Sequence, residues 1–216
     1  MARILVINPN SSEACSAGIS AALEPYRFPT GPVLDVVTLK DGPPAIYSWS
    51  DWHAVVEPLC GLVQRSDADA YVIACASDPG LEAVRAVTLR PVFGIFRSAV
   101  ATAVAHAERL GVIALVESSK ARHRLGLRAM GLEGRLAGEI ALNVSMDSLL
   151  DPAAARCSLI AAARDLVGLG AETLILGCTG MAHHATAIRD AVRLPVIEPS
   201  QAAAALAIGA VLSVAR

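Results

Sequence analysis

The stretch Tyr71-Val72-Ile73-Ala74-Cys75-Ala76-Ser77-Asp78-Pro79-Gly80 returns in altered form as Thr173-Leu174-Ile175-Leu176-Gly177-Cys178-Thr179-Gly180-Met181. In each copy a short apolar run ends in a small residue and a cysteine, and hydroxyl or glycine residues then lead into an amphipathic stretch. That order predicts a buried parallel strand running into a helix. Each cysteine then stands at the carboxyl end of a strand. Open α/β sheets bind ligands there, and the following helix offers unpaired N–H groups and the positive end of its dipole.

The likeness extends on both sides. Positions 75 and 178 are 103 apart. The prolines of Arg90-Pro91-Val92-Phe93-Gly94-Ile95 and Leu194-Pro195-Val196-Ile197-Glu198-Pro199, at 91 and 195, are 104 apart. Upstream, Arg3-Ile4-Leu5-Val6-Ile7-Asn8 parallels Gly111-Val112-Ile113-Ala114-Leu115-Val116 at a similar offset. Strands alternate with helices throughout, so the expected fold is α/β: two similar doubly wound, Rossmann-like parallel-sheet lobes, related by a pseudo-two-fold axis, with the active site in the crevice between them. The last helix is expected to return to the first lobe. The boundaries that follow are 1–96 plus 197–216 for the lobe carrying Cys75, and 97–196 for the lobe carrying Cys178.

Composition fits this architecture. Hydrophobic residues make up 54% of the 216, charged residues 18%, and mean hydropathy is +0.52. Aromatics are only 4%, so the core must be built from Ala, Val, Leu and Ile, which suits thin helices laid on a parallel sheet. A formal net charge of −2 and the absence of a basic cluster with interleaved aromatics argue against nucleic acid as a partner. No apolar run approaches the ~20 residues that span a bilayer, and no signal-peptide pattern precedes the first strand. A cytoplasmic protein that acts on a small molecule, does not bind membranes and forms a homo-oligomer is expected. The five cysteines, at 15, 60, 75, 157 and 178, contain no C-x-x-C pair. Neither a disulfide framework nor a metal site is suggested.

Taken in order, Arg3 to Asn8 is a strand and Asn8-Pro9-Asn10-Ser11-Ser12 a turn that caps a helix from Glu13. Such a turn can also hold an anionic or carbonyl group on its backbone N–H groups. Strand 33–39 leads into the loop Asp41-Gly42-Pro43-Pro44-Ala45-Ile46-Tyr47-Ser48-Trp49-Ser50, which serves as a pocket wall or as a cover for the sheet edge. Helices are expected over 51–66, 79–88, 98–110, 152–169, 183–192 and 201–214. Strands are expected over 70–75, 92–95, 112–116, 136–142, 173–177 and 196–198. Glu117-Ser118-Ser119 stands where the first Asn/Ser turn stood and begins a further helix.

If both repeat cysteines face one crevice, they flank the ligand. A thiol has a pKa of roughly 8.5, lowered at a helix N-terminus, so one member can be thiolate and the other thiol. That pair suits removal of a proton from one face of a carbon and delivery to the other. The alternatives are burial as a small hydrophobe, which is assigned to Cys15, Cys60 and Cys157 within helical patterns, and a redox pair. A redox pair needs sulfurs about 2 Å apart and leaves no room for a substrate.

At these residues the sequence resembles the aspartate/glutamate/hydantoin racemase superfamily, most closely its hydantoin and allantoin racemases. The matching segments are Arg3 to Ser11, Gly42-Pro43 with Ile46, Cys75 with Asp78-Pro79-Gly80-Leu81, Pro91-Val92 with Gly94-Ile95, and Gly177 to Met181. The resemblance implies a cofactor-independent, two-base racemase with Cys75 and Cys178 as its bases. It places substrate-holding groups at Asn8, Asn10, Ser11, Ile46, Ser77, Ser118, Ser119, Thr179 and Gly180. Possession of both cysteines separates the chain from the arylmalonate decarboxylase branch. Where hydantoin racemases usually carry Gly-Glu-Ala, this chain has Phe96-Arg97-Ser98. Arg97 either holds a substrate carboxylate bidentately or is a solvated surface residue. The expected substrate is a 5-substituted hydantoin or allantoin. An aspartate/glutamate-type racemase, a maleate isomerase using one cysteine as nucleophile, and an inactive ligand-binding protein are the alternatives.

Overall fold

The computed structural model describes residues 1–145, 148–149 and 152–214, with no account of the side chains of 152–154 and 214. Residues 215–216 of the expected first-lobe span therefore lie outside it. Among the described residues eight strands form two four-stranded parallel sheets. The first contains β1 (Arg3–Asn8), β2 (Val33–Thr38), β3 (Ala70–Ile73) and β4 (Val92–Gly94) in the order β2-β1-β3-β4. The second repeats that order as β6-β5-β7-β8, from β5 (Leu110–Ala114), β6 (Leu136–Ala141), β7 (Thr173–Gly177) and β8 (Val196–Ile197). The registers Ile7↔Ile73 and Ala114↔Gly177 bring the two cysteine strands to equivalent ends of their sheets.

Because both faces of each sheet are covered, the central strands are apolar at every position rather than at alternate ones. Ile4 and Val6 point to one side of β1, where they meet α1 (Glu13–Ala22) and the last helix, α9 (Pro199–Val214). Leu5 and Ile7 point to the other side and meet Leu59 and Val63 of α3 (Val56–Gln64) and Leu81 and Val84 of α4 (Leu81–Ala86). Each of these fully buried side chains contributes roughly 1.5–3 kcal/mol relative to exposure.

Two helices change partners. α5 (Ile95–His106) follows β4 of the first sheet, yet Phe96, Ala99, Val100 and Ala103 pack with Leu110, Val112 and Ile175 of the second. α9 follows β8 of the second sheet, yet Ala203, Ala204, Ala207 and Ile208 pack with Ile4, Val6 and Val72 of the first. The two helices also lie against each other. α7 (Pro152–Gly168) and α8 (Ala185–Val192) cover the remaining face of the second sheet, and α6 (Ser119–Ala129) lies beside α5.

Several expected elements start or end elsewhere. The helix expected over 51–66 is divided at Val55 into α2 (Trp49–Ala54) and α3. Ser48 starts α2 early through a capping box with Asp51, and Pro58 has no N–H to donate back across the break. α5 starts at Ile95 rather than Ser98, and a 3-10 turn over Thr179–His184 precedes α8. Cys157 is exposed on α7 rather than packed, whereas Cys15 is buried. Among the described residues no helix is long and apolar enough to cross a membrane.

Candidate active site

The chain leaving β3 turns sharply. The Asp78 N–H donates to the Cys75 carbonyl oxygen at 2.9 Å, and Asp78 and Gly80 both adopt positive φ, 48° and 68°. The turn lets the buried Asp78 carboxylate accept the N–H groups of Phe96 (2.8 Å) and Arg97 (2.9 Å), capping α5. Gly94 is required by this approach, since a Cβ there would lie 2.3 Å from the Asp78 carboxyl carbon. In the second lobe, Cys178 lies in extended backbone at φ −157° and begins the 3-10 turn, its carbonyl oxygen accepting the Met181 N–H at 3.1 Å. Gly177 before it is equally constrained, because a Cβ would sit 2.6 Å from the Ile113 carbonyl oxygen across the sheet. Glu198 caps α9 by accepting the Gln201 N–H at 2.7 Å, so a buried carboxylate starts each of the exchanged helices.

Cys75 and Cys178 line one pocket between the lobes. Its wall also contains Asn10, Ile46, Ser77, Ser119 and Thr179 from the sequence-derived set, together with Tyr47, Arg122 and His123. Asn8 lies behind the wall, fully buried. Its Nδ2 donates to Asn10 Oδ1 (3.0 Å), the Ser12 carbonyl (3.1 Å) and Ser16 Oγ (3.0 Å), which shapes the turn that presents Asn10. Ser11 donates its N–H to the Pro43 carbonyl at 2.9 Å and anchors the 41–50 loop. Ser118 Oγ donates to the Tyr47 carbonyl at 2.6 Å and ties that loop to the opposite lobe. Gly180 faces a separate recess with Gly18 and Gln201, and its backbone N–H favours the ionised Cys178 sulfur. The Arg97 guanidinium is ion-paired with Glu82 in a neighbouring recess that shares Ser77 and Arg122 with the cysteine pocket.

Burial governs the acid chemistry. It pushes the Cys178 thiol up to about 12, with the negative charges of Cys75, Cys15 and Glu198 adding to the effect and the Gly180 N–H opposing it. Cys75 is only partly covered, yet its surroundings withdraw it from bulk water. Burial raises it too, against hydrogen bonds from Ser77 (Sγ···Oγ 3.5 Å) and the positive charge of Arg122. The expectation that a helix N-terminus lowers one thiol is therefore overturned, because loss of hydration outweighs the few N–H groups available. Arg122 and His123, which the sequence did not single out, come from α6. His123 is buried, stacked on Phe96 at 4.5 Å, and its Nδ1 meets Glu139 Oε1 at 2.5 Å. The basic residues of Ser119–Ala129 gave no apolar stripe, so nothing in the local pattern marked its inward face.

The molecule is a two-lobed α/β protein with the cysteine pocket at the seam. Residues 4–207 match the Asp/Glu/Hydantoin racemase family. A hydantoin racemase of Paenarthrobacter aurescens is 34% identical over 211 residues, covering 95% of this chain and 89% of its own. A hydantoin racemase of Pseudomonas sp. (strain NS671) is 33% identical over 207 residues, covering 91% and 80%. Among solved structures, allantoin racemase from Klebsiella pneumoniae superposes with a TM-score of 0.91 at 28% identity, covering 99% of this chain and 89% of that one. The chain belongs to the Asp/Glu/hydantoin racemase family, and its enzyme class is that of an isomerase, a racemase.

Proposed function

We propose that the protein is a cofactor-independent racemase that inverts a carbon acid beside a carbonyl, with Cys75 and Cys178 as its two bases and a 5-substituted hydantoin or allantoin as substrate. The observation that carries this is the presence of both repeat cysteines on the walls of one pocket. The relatives named as hydantoin and allantoin racemases support the substrate class. In one direction the Cys75 thiolate takes the α-proton and the C–H electron pair moves onto the carbonyl oxygen. The Cys178 S–H then delivers its proton to the opposite face and is left as thiolate. The other enantiomer runs the same steps in reverse. Asn10, Ser77, Ser119 and Thr179 supply the polar contacts that orient the ring and its carbonyls, while Ile46 packs against the substituent.

In deuterium oxide the wild type should wash deuterium into the stereocentre as optical activity decays, read by NMR and circular dichroism. Serine is a far weaker acid than cysteine, so Cys75→Ser and Cys178→Ser should each lose racemisation. Residual exchange should favour opposite enantiomers in the two variants. Full racemisation by either variant would exclude two essential thiols, and exchange favouring the same enantiomer in both would point to one base and a mobile substrate.

A further inference from the structure

The buried guanidinium at this pocket is in contact with no acid among the described residues. Arg122 is 2% exposed, and its Nη2 donates to the Tyr47 carbonyl (3.2 Å) and Ser119 Oγ (3.3 Å). Its Nε and Nη1 are buried without an acceptor. The Trp49 ring centroid lies 5.8 Å from the guanidinium carbon. Among the described residues no Asp or Glu lines the pocket and Arg122 joins no salt bridge, Asp51 of α2 acting on it only through space. A guanidinium keeps its charge in a protein. Held away from water with no acid in contact and two of its nitrogens without an acceptor, it is costly, so the pocket suits a negative charge supplied by something else.

We propose that Arg122 is the counterion of one negative charge that travels through the pocket during turnover, from the Cys75 sulfur to the substrate's enolate oxygen and on to the Cys178 sulfur. The inference rests on the two-cysteine reading above and deepens it. The charge balances at each step. In the form of the enzyme that reacts, the pocket holds Arg122 as cation and Cys75 as thiolate. Once the proton has moved to Cys75, the anion is the enolate, and once Cys178 has given up its proton, the anion is its sulfur. A neutral carbon acid preserves that balance throughout. A substrate carboxylate would add a second negative charge, and among the described residues no second Lys or Arg lines the pocket to meet it. The pocket therefore fits neutral ring substrates over free amino acids or acid-bearing hydantoins.

Burial raises the Cys75 thiol, and the Arg122 charge opposes that rise. Arg122 is the positive group that acts on Cys75, and Cys75 in turn is the foremost negative group acting on Arg122, ahead of Asp51 on α2. Asp78, on the same turn as Cys75, opposes the thiolate, and Cys178 faces the same pocket. His123, next to Arg122 on α6, is engaged by Glu139. Arg122 acts through Cys75 and is in that sense a positioning residue for charge.

The test reads the thiol directly. Alkylation of Cys75 by iodoacetamide, resolved by peptide mass spectrometry across a pH series without substrate, gives the pH midpoint of its thiolate. In Arg122→Gln this midpoint should rise by about one to three pH units, with at least about ten-fold slower alkylation near neutrality. Arg122→Lys should restore most of the wild-type rate, and circular dichroism establishes that each variant is folded. An unchanged midpoint in a folded Arg122→Gln protein overturns the proposal and leaves the two-cysteine mechanism standing. A displaced midpoint in a chain whose wild type fails to exchange the α-proton of any neutral hydantoin overturns the two-cysteine reading, and the travelling charge with it. Kinetics with a neutral and a carboxylate-bearing hydantoin supply the second arm. The wild type should favour the neutral one, and a preference for the acid that disappears in Arg122→Gln would show that the guanidinium holds the substrate instead.

Discussion

The Asp78 carboxylate accepts two backbone N–H groups from a helix that starts far along the chain. Burial still pushes its pKa up to about 7, with those N–H groups opposing the rise. An acid whose folded pKa lies above its unfolded value of roughly 3.9 binds more protons in the folded state between the two values. Its contribution to stability therefore falls as pH rises from about 4 to about 7, and is level above that. We expect urea unfolding of the wild type, relative to Asp78→Asn, to lose on the order of a few kcal/mol across that window. A difference that stays constant with pH would show that Asp78 does not titrate there. The sequence displayed Asp78 beside Cys75 but could not display its partners, because the cap is formed by Phe96 and Arg97, 18 and 19 positions away. Arg97 was weighed for its side chain, yet it meets the cysteine turn through its backbone. Arg122 stayed hidden because a buried arginine looks like any other in a basic helix.

Strands were legible as elements because a parallel strand covered on both faces is a continuous apolar run, and β1 and β7 begin and end where those runs do. Helix starts were less legible wherever the cap is not local. α5 begins three residues before its expected start because Asp78 supplies the acceptors, and α2 is set by the Ser48 and Asp51 box. The join between β4 and α5 is consequently a tight point of the first lobe. Gly94→Ala drives a Cβ to 2.3–2.6 Å from the Asp78 carboxyl group. We expect it to cost about 1–3 kcal/mol, lowering Tm by several degrees and disturbing the Cys75 turn. Gly209→Ala in α9 meets nothing within 4 Å and should leave Tm unchanged or raise it. Equal behaviour of the two variants in thermal melts would refute the crowding argument at Gly94.

The repeat made the whole molecule legible, since matched offsets of strand, cysteine and proline anticipate two sheets of one strand order. The crossing of α5 and α9 between the lobes was only half visible, as the return of the last helix. Its consequence is that neither sheet is complete without a helix from the other half. Removing residues 199–214 should uncover Ile4, Val6 and Val72 and unfold the first lobe, although that lobe's strands all lie within residues 3–94. Hydrogen exchange should show β1 and β3 unprotected in the truncated chain, and native protection there would refute the interdependence. The two thiols occupy equivalent places in the repeat but unequal surroundings, one partly covered beside Arg122 and one buried near Glu198. Mirror-image forms of a substrate with one stereocentre have the same free energy, so their equilibrium constant is one and the two directions must share a single kcat/KM. The inequality of the two sulfurs is thus confined to how that ratio divides: whichever enantiomer saturates the enzyme at the lower concentration must also be the one it turns over more slowly.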